Sequence, residues 1–301
     1  MTVLKAHSAK NLEENGVAID YLFNVFDTGK VNPKTELFNT KIFKQPYKIN
    51  PENIFKETVV DDEDQAAKTH DNIVSKTRVF PMISVFPPTN RILYKHIFNK
   101  LQEKQSAFKN KKNVLDVGCG SGILPVMFRK AVMSAKTNFY GLDRSTEALE
   151  CTKLNTNLFD ISMSTQLLDI TTGLDKTRKL FPNGPDSFDF IISNPPWMVA
   201  KPIEEFDSGN YDPDEKFLKS LFELVSAYME KDRGSFWLIY SDISEVLGLQ
   251  KKNRIQELAN AHNLIVKNVF TCPAEELHKT PRTNLDVIKR QTKYLIYEIT
   301  F

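Results

Sequence analysis

From about Thr77 onward, short apolar runs that end in glycine, asparagine or aspartate alternate with longer amphipathic stretches. The short runs are "NVLDVG", "NFYGLD", "STQLLD", "SFDFIISN", "GSFWLIYS", "LIVKNVF" and "KYLIYEITF". They have the length and β-branched or aromatic content of strands. Between them lie "ILPVMFRKAVMSA", "STEALECTKLNTN", "DEKFLKSLFELVSAYMEK" and "KKNRIQELANAH", whose apolar residues recur at helical spacing. A helix also precedes the first strand: "TNRILYKHIFNKLQEK" sets Ile92, Leu93, His96, Ile97 and Leu101 on one face, with Thr89 as N-cap. Strictly alternating strands and helices admit few solutions, because crossovers are right-handed and both faces of a parallel sheet must be covered. The expectation is an α/β domain over 76–301 with a seven-stranded, mainly parallel sheet. The last two strands are joined by the irregular "TCPAEELHKTPRTNLDVIKRQT", so the final strand is expected to run antiparallel. Residues 1–75 read as an irregular N-terminal extension, interrupted by Gly, Asn and Pro and closing on the acidic "VVDDEDQAAKTHD".

Several classes of function recede on composition. A net charge of +2 over 301 residues is not the strongly basic footprint of a protein that binds nucleic acid by charge alone. Cys119, Cys151 and Cys272 are widely spaced with no CxxC pair, so neither a disulfide framework nor a zinc site is expected, nor any other metal. The start "MTVLKAHSAKNLEENGVAID" lacks the apolar segment of a signal peptide, and no run approaches the ~18 residues of a membrane span. A cytoplasmic protein without membrane association is expected.

Ligands of such sheets sit at the carboxyl ends of the strands, where the unusual residues of this chain fall. "VLDVGCGSGILPV" places Gly118, Gly120 and Gly122 between a strand and a helix. Its G-x-G-x-G spacing is not the dinucleotide G-x-G-x-x-G, since Ile123 follows Gly122, and no Lys-Ser/Thr makes it a Walker loop. Asp116 lies inside the apolar strand, a costly place for a carboxylate without a partner. Asp143 ends the next strand in "YGLDRS", where an acid accepts the two hydroxyls of a ribose. It would also serve as N-cap of the following helix, a duty that Ser145 can take instead. Asp169 ends the third strand in "LLDIT".

At the end of the fourth strand stands "IISNPPW". Consecutive prolines cannot donate hydrogen bonds and fix their own φ near −65°, and each forces an extended shape on its predecessor. By itself this describes a strand that ends in a rigid turn. It leaves Asn194 on one side of the stiff pair, Pro195 and Pro196, and Trp197 on the other.

From about Phe80 to its end the chain resembles the class I S-adenosylmethionine-dependent methyltransferases, and "VLDVGCGSG" is similar to the first motif of that family. The resemblance implies a Rossmann-like sheet and S-adenosyl-L-methionine as cofactor. It implies that Asp116 and the loop Gly118, Cys119, Gly120 and Gly122 hold the methionine end. Asp143 would hold the ribose and Asp169 the adenine amino group. Arg144 departs from the apolar residue usual there, and its stem or guanidinium plane would cover the adenine ring. In "SVFPPTNRIL", Pro88 and Thr89 match a segment that lies over the cofactor in the glutamine-methylating enzymes, although Asn90 replaces the usual glutamate. Residues 1–75 do not resemble the helical substrate domain of those enzymes.

Asn194-Pro195-Pro196-Trp197 is similar to the motif of the amino-methylating branch: release-factor glutamine, adenine N6 and ribosomal-RNA guanine-N2 methyltransferases. The resemblance implies that the Asn194 side-chain oxygen and the Pro195 carbonyl accept the two N–H bonds of a planar amide or exocyclic amine. Pro196 keeps these acceptors rigid, and Trp197 offers a stacking face. No Ser-His-Asp or Cys-His arrangement is needed, because a sulfonium is already a good leaving group.

The stretch after the motif, "KPIEEFDSGNYDPDE", is acidic and repels phosphate. That favours a protein side chain or a cationic small molecule over bulk nucleic acid, and a protein glutamine or similar amide is taken as acceptor ahead of an RNA or DNA base, with a small molecule as a further alternative. The runs "KNKK", "QKKNR" and "DVIKRQTK" pull the other way if they form one basic surface. Two further readings are a silent cofactor-binding scaffold, which has no need of the Asn-Pro-Pro-Trp turn, and a nicotinamide oxidoreductase, which the glycine spacing disfavours.

Overall fold

The apolar runs are strands, and the central ones are buried from both sides. Every residue of β4 (Phe190–Ser193) and of β5 (Ser235–Ser241) is buried. They belong to a 7-stranded sheet in a computed structural model that describes residues 85, 91–133, 136–175, 178–201, 209–272 and 291–301. The other strands are β1 (Asn113–Val117), β2 (Asn138–Asp143), β3 (Met163–Leu167), β6 (Ile265–Thr271) and β7 (Tyr294–Thr300). The spatial order is β3-β2-β1-β4-β5-β7-β6. β1 pairs in parallel with β2 and β4, β2 with β3, and β4 with β5. β7 runs antiparallel to both β5 and β6, as expected. The expected extension 1–75 and its acidic stretch lie outside the described residues, as does Thr89.

Strand order reverses between β1 and β4, so the crevice at their carboxyl ends is the switch point of the sheet. The two faces of β5 show how the core divides. Trp237 and Ile239 point into one cluster, Phe236, Leu238 and Tyr240 into the other. The first cluster is closed by α1 (Arg91–Glu103), the short α2 (Gln105–Phe108) and α3 (Ile123–Val132). Phe108, Phe128, Phe190 and Trp237 meet there, with centroids of the contacting rings 4.7–5.7 Å apart. Truncating Trp237, fully buried among them, would cost about 3–5 kcal/mol. The second cluster is closed by α5 (Lys216–Tyr228) and α7 (Arg254–Ala261).

α4 (Thr146–Asn157) starts at Ser145, whose side chain accepts from Ala148 N, so the capping duty falls to the serine and not to Asp143. Two four-residue helices, α2 and α6 (Ile243–Val246), are too short to leave a periodic signal in sequence. Among the described residues no helix is long and apolar enough to cross a membrane.

Candidate active site

The alternation of β1 turns Val114 and Asp116 towards the α1/α3 face, beside Ile192 of β4, and turns Leu115 and Val117 to the other. Asp116 is 1% exposed, and neither carboxylate oxygen has a hydrogen-bond partner. Burial, with Asp143 adding its charge, holds the Asp116 carboxyl well above the ordinary carboxylate range. A fold does not keep such a group for stability alone, since an unpartnered buried polar group costs about 1–3 kcal/mol.

Beyond Val117 the chain turns through Gly118, Gly120 and Gly122, all at positive φ (74°, 49° and 73°). Gly118 N and Cys119 N both donate to Leu142 O of β2, at 2.8 and 3.0 Å. α4 fixes the far side: Thr152 Oγ1 donates to Gly120 O at 2.9 Å, and Asn155 Nδ2 to Ser121 O at 2.7 Å. Gly122 is the left-handed N-cap of α3, and a Cβ there would lie 3.1 Å from Thr152 Cα. The Cys119 side chain turns inward, its Sγ 3.1 Å from where a Cβ on Gly141 would stand. Val85 and Phe217 border the loop, near Gly120 and Gly118 respectively.

Asp143 stands at the end of β2. Its Oδ2 accepts from Gly120 N and its Oδ1 from Ser145 N, both at 3.0 Å. Burial raises its pKa, and these two backbone bonds oppose the rise. Arg144 beside it is exposed. Asp169 caps the 3-10 turn Ile170–Thr172, its Oδ1 accepting from Thr171 N at 2.9 Å and Thr171 Oγ1 at 2.7 Å.

Ser193, the last residue of β4, donates its Oγ proton to Val117 O at 2.7 Å. This bond sets the Asn194-Pro195-Pro196-Trp197 turn alongside the glycine loop. Asn194 Nδ2 donates to Tyr94 Oη at 3.2 Å, while Asn194 Oδ1 is buried without a partner. Two acceptor groups at the mouth of the crevice, Asp116 and Asn194 Oδ1, are thus desolvated and unsatisfied. Sequence reasoning missed Tyr94, Ser193 and Ser244. Ser244 Oγ donates to Trp197 O at 2.7 Å and accepts from Val199 N at 2.9 Å, pinning the far end of the turn.

Trp197 is not a free platform. Its Nε1 donates to Ile239 O at 3.3 Å, its ring lies 5.5 Å from that of Tyr294, and it packs partly buried against both core clusters. Two acids in the described part of the stretch beyond the turn are held by the fold. Asp212 accepts from Phe217 N and Leu218 N at the start of α5. Glu215 is bound by Arg254 and Gln250.

Residues 86–207 match the family model described as the methyltransferase small domain. A release factor glutamine methyltransferase of Caulobacter vibrioides is 34% identical over 97 residues, which are 32% of this chain and 30% of that protein. A ribosomal protein L11 methyltransferase of Helicobacter acinonychis is 33% identical over 144 residues, 47% of this chain and 38% of that protein. The chain thus matches about a third of the length of these curated relatives. Among solved structures, a ribosomal protein L11 methylase of Lactobacillus delbrueckii subsp. bulgaricus aligns with a TM-score of 0.46 at 15% identity, covering 79% of this chain and 90% of that one. The glycine loop, Asp143, Asp169 and the Asn-Pro-Pro-Trp turn all fall inside the matched stretch, residues 86–207.

Proposed function

We propose that the chain is an S-adenosylmethionine-dependent N-methyltransferase acting on a planar amide or exocyclic amino group, with a protein glutamine side chain as the favoured acceptor. The observation that carries this reading is the buried, unpartnered Oδ1 of Asn194 beside the glycine loop. An acceptor stripped of water and left unpaired is costly. A target N–H would satisfy it.

The residues fit the cofactor. Asp116 presents two unpartnered oxygens that suit a cationic amino group, and the positive φ values of Gly118 and Gly120 let a ligand approach the backbone. Asp143 stands where an acid meets ribose hydroxyls. Asp169 and Arg144 would serve the adenine, and Thr89 and the backbone of Cys119 complete the binding set. Bound there, S-adenosylmethionine would supply a methyl carbon on a cationic sulfur, a leaving group able to keep the bonding pair when a nitrogen lone pair takes the methyl.

The chain's own work is to prepare that lone pair. In a planar amide or aromatic amine it is delocalised. Asn194 Oδ1 and the Pro195 carbonyl would accept the two N–H bonds, favour a pyramidal nitrogen and stabilise its growing positive charge. Pro195 and Pro196 keep these acceptors from having to reorganise, and Trp197 lends an aromatic edge to a flat target. The surplus proton is lost to water after transfer. Alignment of this kind can supply on the order of 7–11 kcal/mol.

Both curated relatives are named for protein acceptors, a release factor and ribosomal protein L11, which supports a protein substrate over a nucleobase. The test is transfer of label from S-adenosyl-[methyl-³H]methionine into extract of cells lacking the protein, followed by mass spectrometry of the labelled fraction. Label on glutamine nitrogen is expected. Label on guanine N2 or adenine N6 would replace the favoured acceptor, and no label in any fraction would leave only a cofactor-binding scaffold.

A further inference from the structure

Tyr94 is enclosed on α1, in the apolar stripe with Leu93, Ile97, Phe98 and Leu101. A buried phenol is costly unless its hydroxyl is hydrogen-bonded. The partner lies 100 positions along the chain: Asn194 Nδ2 donates to Tyr94 Oη. A primary amide can lie either way round against a hydroxyl, because the hydroxyl both gives and receives. In the structure Nδ2 is the amide atom set on Oη, at 3.2 Å, and Oδ1 is left buried without a partner. Burial pushes the Tyr94 pKa up, so the phenol keeps its proton and meets Nδ2 with a lone pair of Oη.

We infer that Tyr94 is a positioning residue for the transfer: by accepting from Asn194 Nδ2, its hydroxyl keeps Oδ1 turned into the reaction site. The inference rests on the proposed role of Asn194. With the amide reversed, Nδ2 would donate to the target nitrogen and engage the lone pair that must attack the methyl carbon. Tyr94 therefore selects the productive orientation of a side chain that is otherwise free to rotate.

The test needs no identified acceptor. In full-length protein labelled with ¹⁵N-asparagine, the signal absent from Asn194→Ala identifies the Asn194 side-chain amide. Its protons are expected to exchange with water about tenfold more slowly in the wild type than in Tyr94→Phe. Equal exchange overturns the inference. In the label-transfer assay, Tyr94→Phe should lose turnover by on the order of 10- to 100-fold. Half-saturation by S-adenosylmethionine should not change, and adding Tyr94→Phe to Asn194→Ala should bring no further loss. Full turnover in Tyr94→Phe with Asn194→Ala silent would refute the role of Tyr94 and leave that of Asn194 standing. Full turnover in Asn194→Ala would remove both.

Discussion

Gly120 donates its backbone N–H to Asp143 Oδ2 at 3.0 Å, so the loop after β1 and the acid ending β2 form one rigid unit. With Ser145 N on the other oxygen, the carboxylate is oriented before any ligand arrives. Asp143→Ala should therefore weaken S-adenosylhomocysteine binding in two ways, by removing an acceptor and by loosening the loop. A hydrogen bond to a charged group contributes about 1.5–3 kcal/mol, roughly 10- to 100-fold in Kd. Titration calorimetry reads this directly. Asn194→Ala is the counterpart, expected to bind the same ligand within a few-fold of wild type while its turnover collapses.

Asp116 sets stability against binding. Its folded pKa is raised, so the folded state is favoured below the unfolded value near 3.9, and that advantage is lost as pH climbs through the folded value. Asp116→Asn removes the burden of ionising the group. The variant should melt a few degrees above wild type at pH 8 and show little difference at pH 4, by scanning calorimetry without ligand. It should also bind S-adenosylmethionine more weakly.

Gly122→Ala places a side chain at φ 73°, against Thr152 Cα and O at 3.1 and 3.2 Å. Left-handed backbone alone costs an alanine about 1–2 kcal/mol. Displacing Thr152 would also strain its bond to Gly120 O. Both the melting temperature and S-adenosylhomocysteine affinity should fall together, whereas a mutation confined to the core would lower only the first.

What was legible before the structure was whatever has a period or a fixed neighbourhood in sequence. The apolar runs of β4 and β5 announce strands covered on both faces, and Ser145 was a recognisable alternative cap that leaves the Asp143 carboxylate to Gly120 N and Ser145 N. Tyr94 was not legible, because a phenol in a helical apolar stripe has the same period as core, and its partner Asn194 is brought near only by sheet topology. Trp197 read as an open face because sequence does not show that Ile239 O receives its Nε1. The acids at 212 and 215 read as a repulsive mouth. In the fold one caps α5 and the other meets Arg254, and neither contact is local in sequence.

That last pair has its own pH signature. Burial alone would raise the Glu215 pKa, but hydrogen bonds from Arg254 and Gln250 outweigh it and hold the carboxyl below its ordinary range. The pair therefore stabilises the fold above the unfolded value near 4.3, and this contribution disappears as pH falls through the lower folded value. Arg254→Ala should cost about 1–2 kcal/mol at pH 7, the modest figure reflecting an arginine that keeps contact with water. Urea titrations at pH 7 and pH 3 should show the deficit at the first and nearly lose it at the second.

β7 slots between β5 and β6, so the order of synthesis and the order of the sheet disagree. While the polypeptide leaves the ribosome, β5 waits with a bare backbone edge and β6 has nothing to pair with until Tyr294–Thr300 emerges. An unpaired edge on so apolar a strand invites pairing with other nascent chains. Translation that stalls ahead of those seven residues would release a species prone to aggregate, with its half of the sheet unfinished.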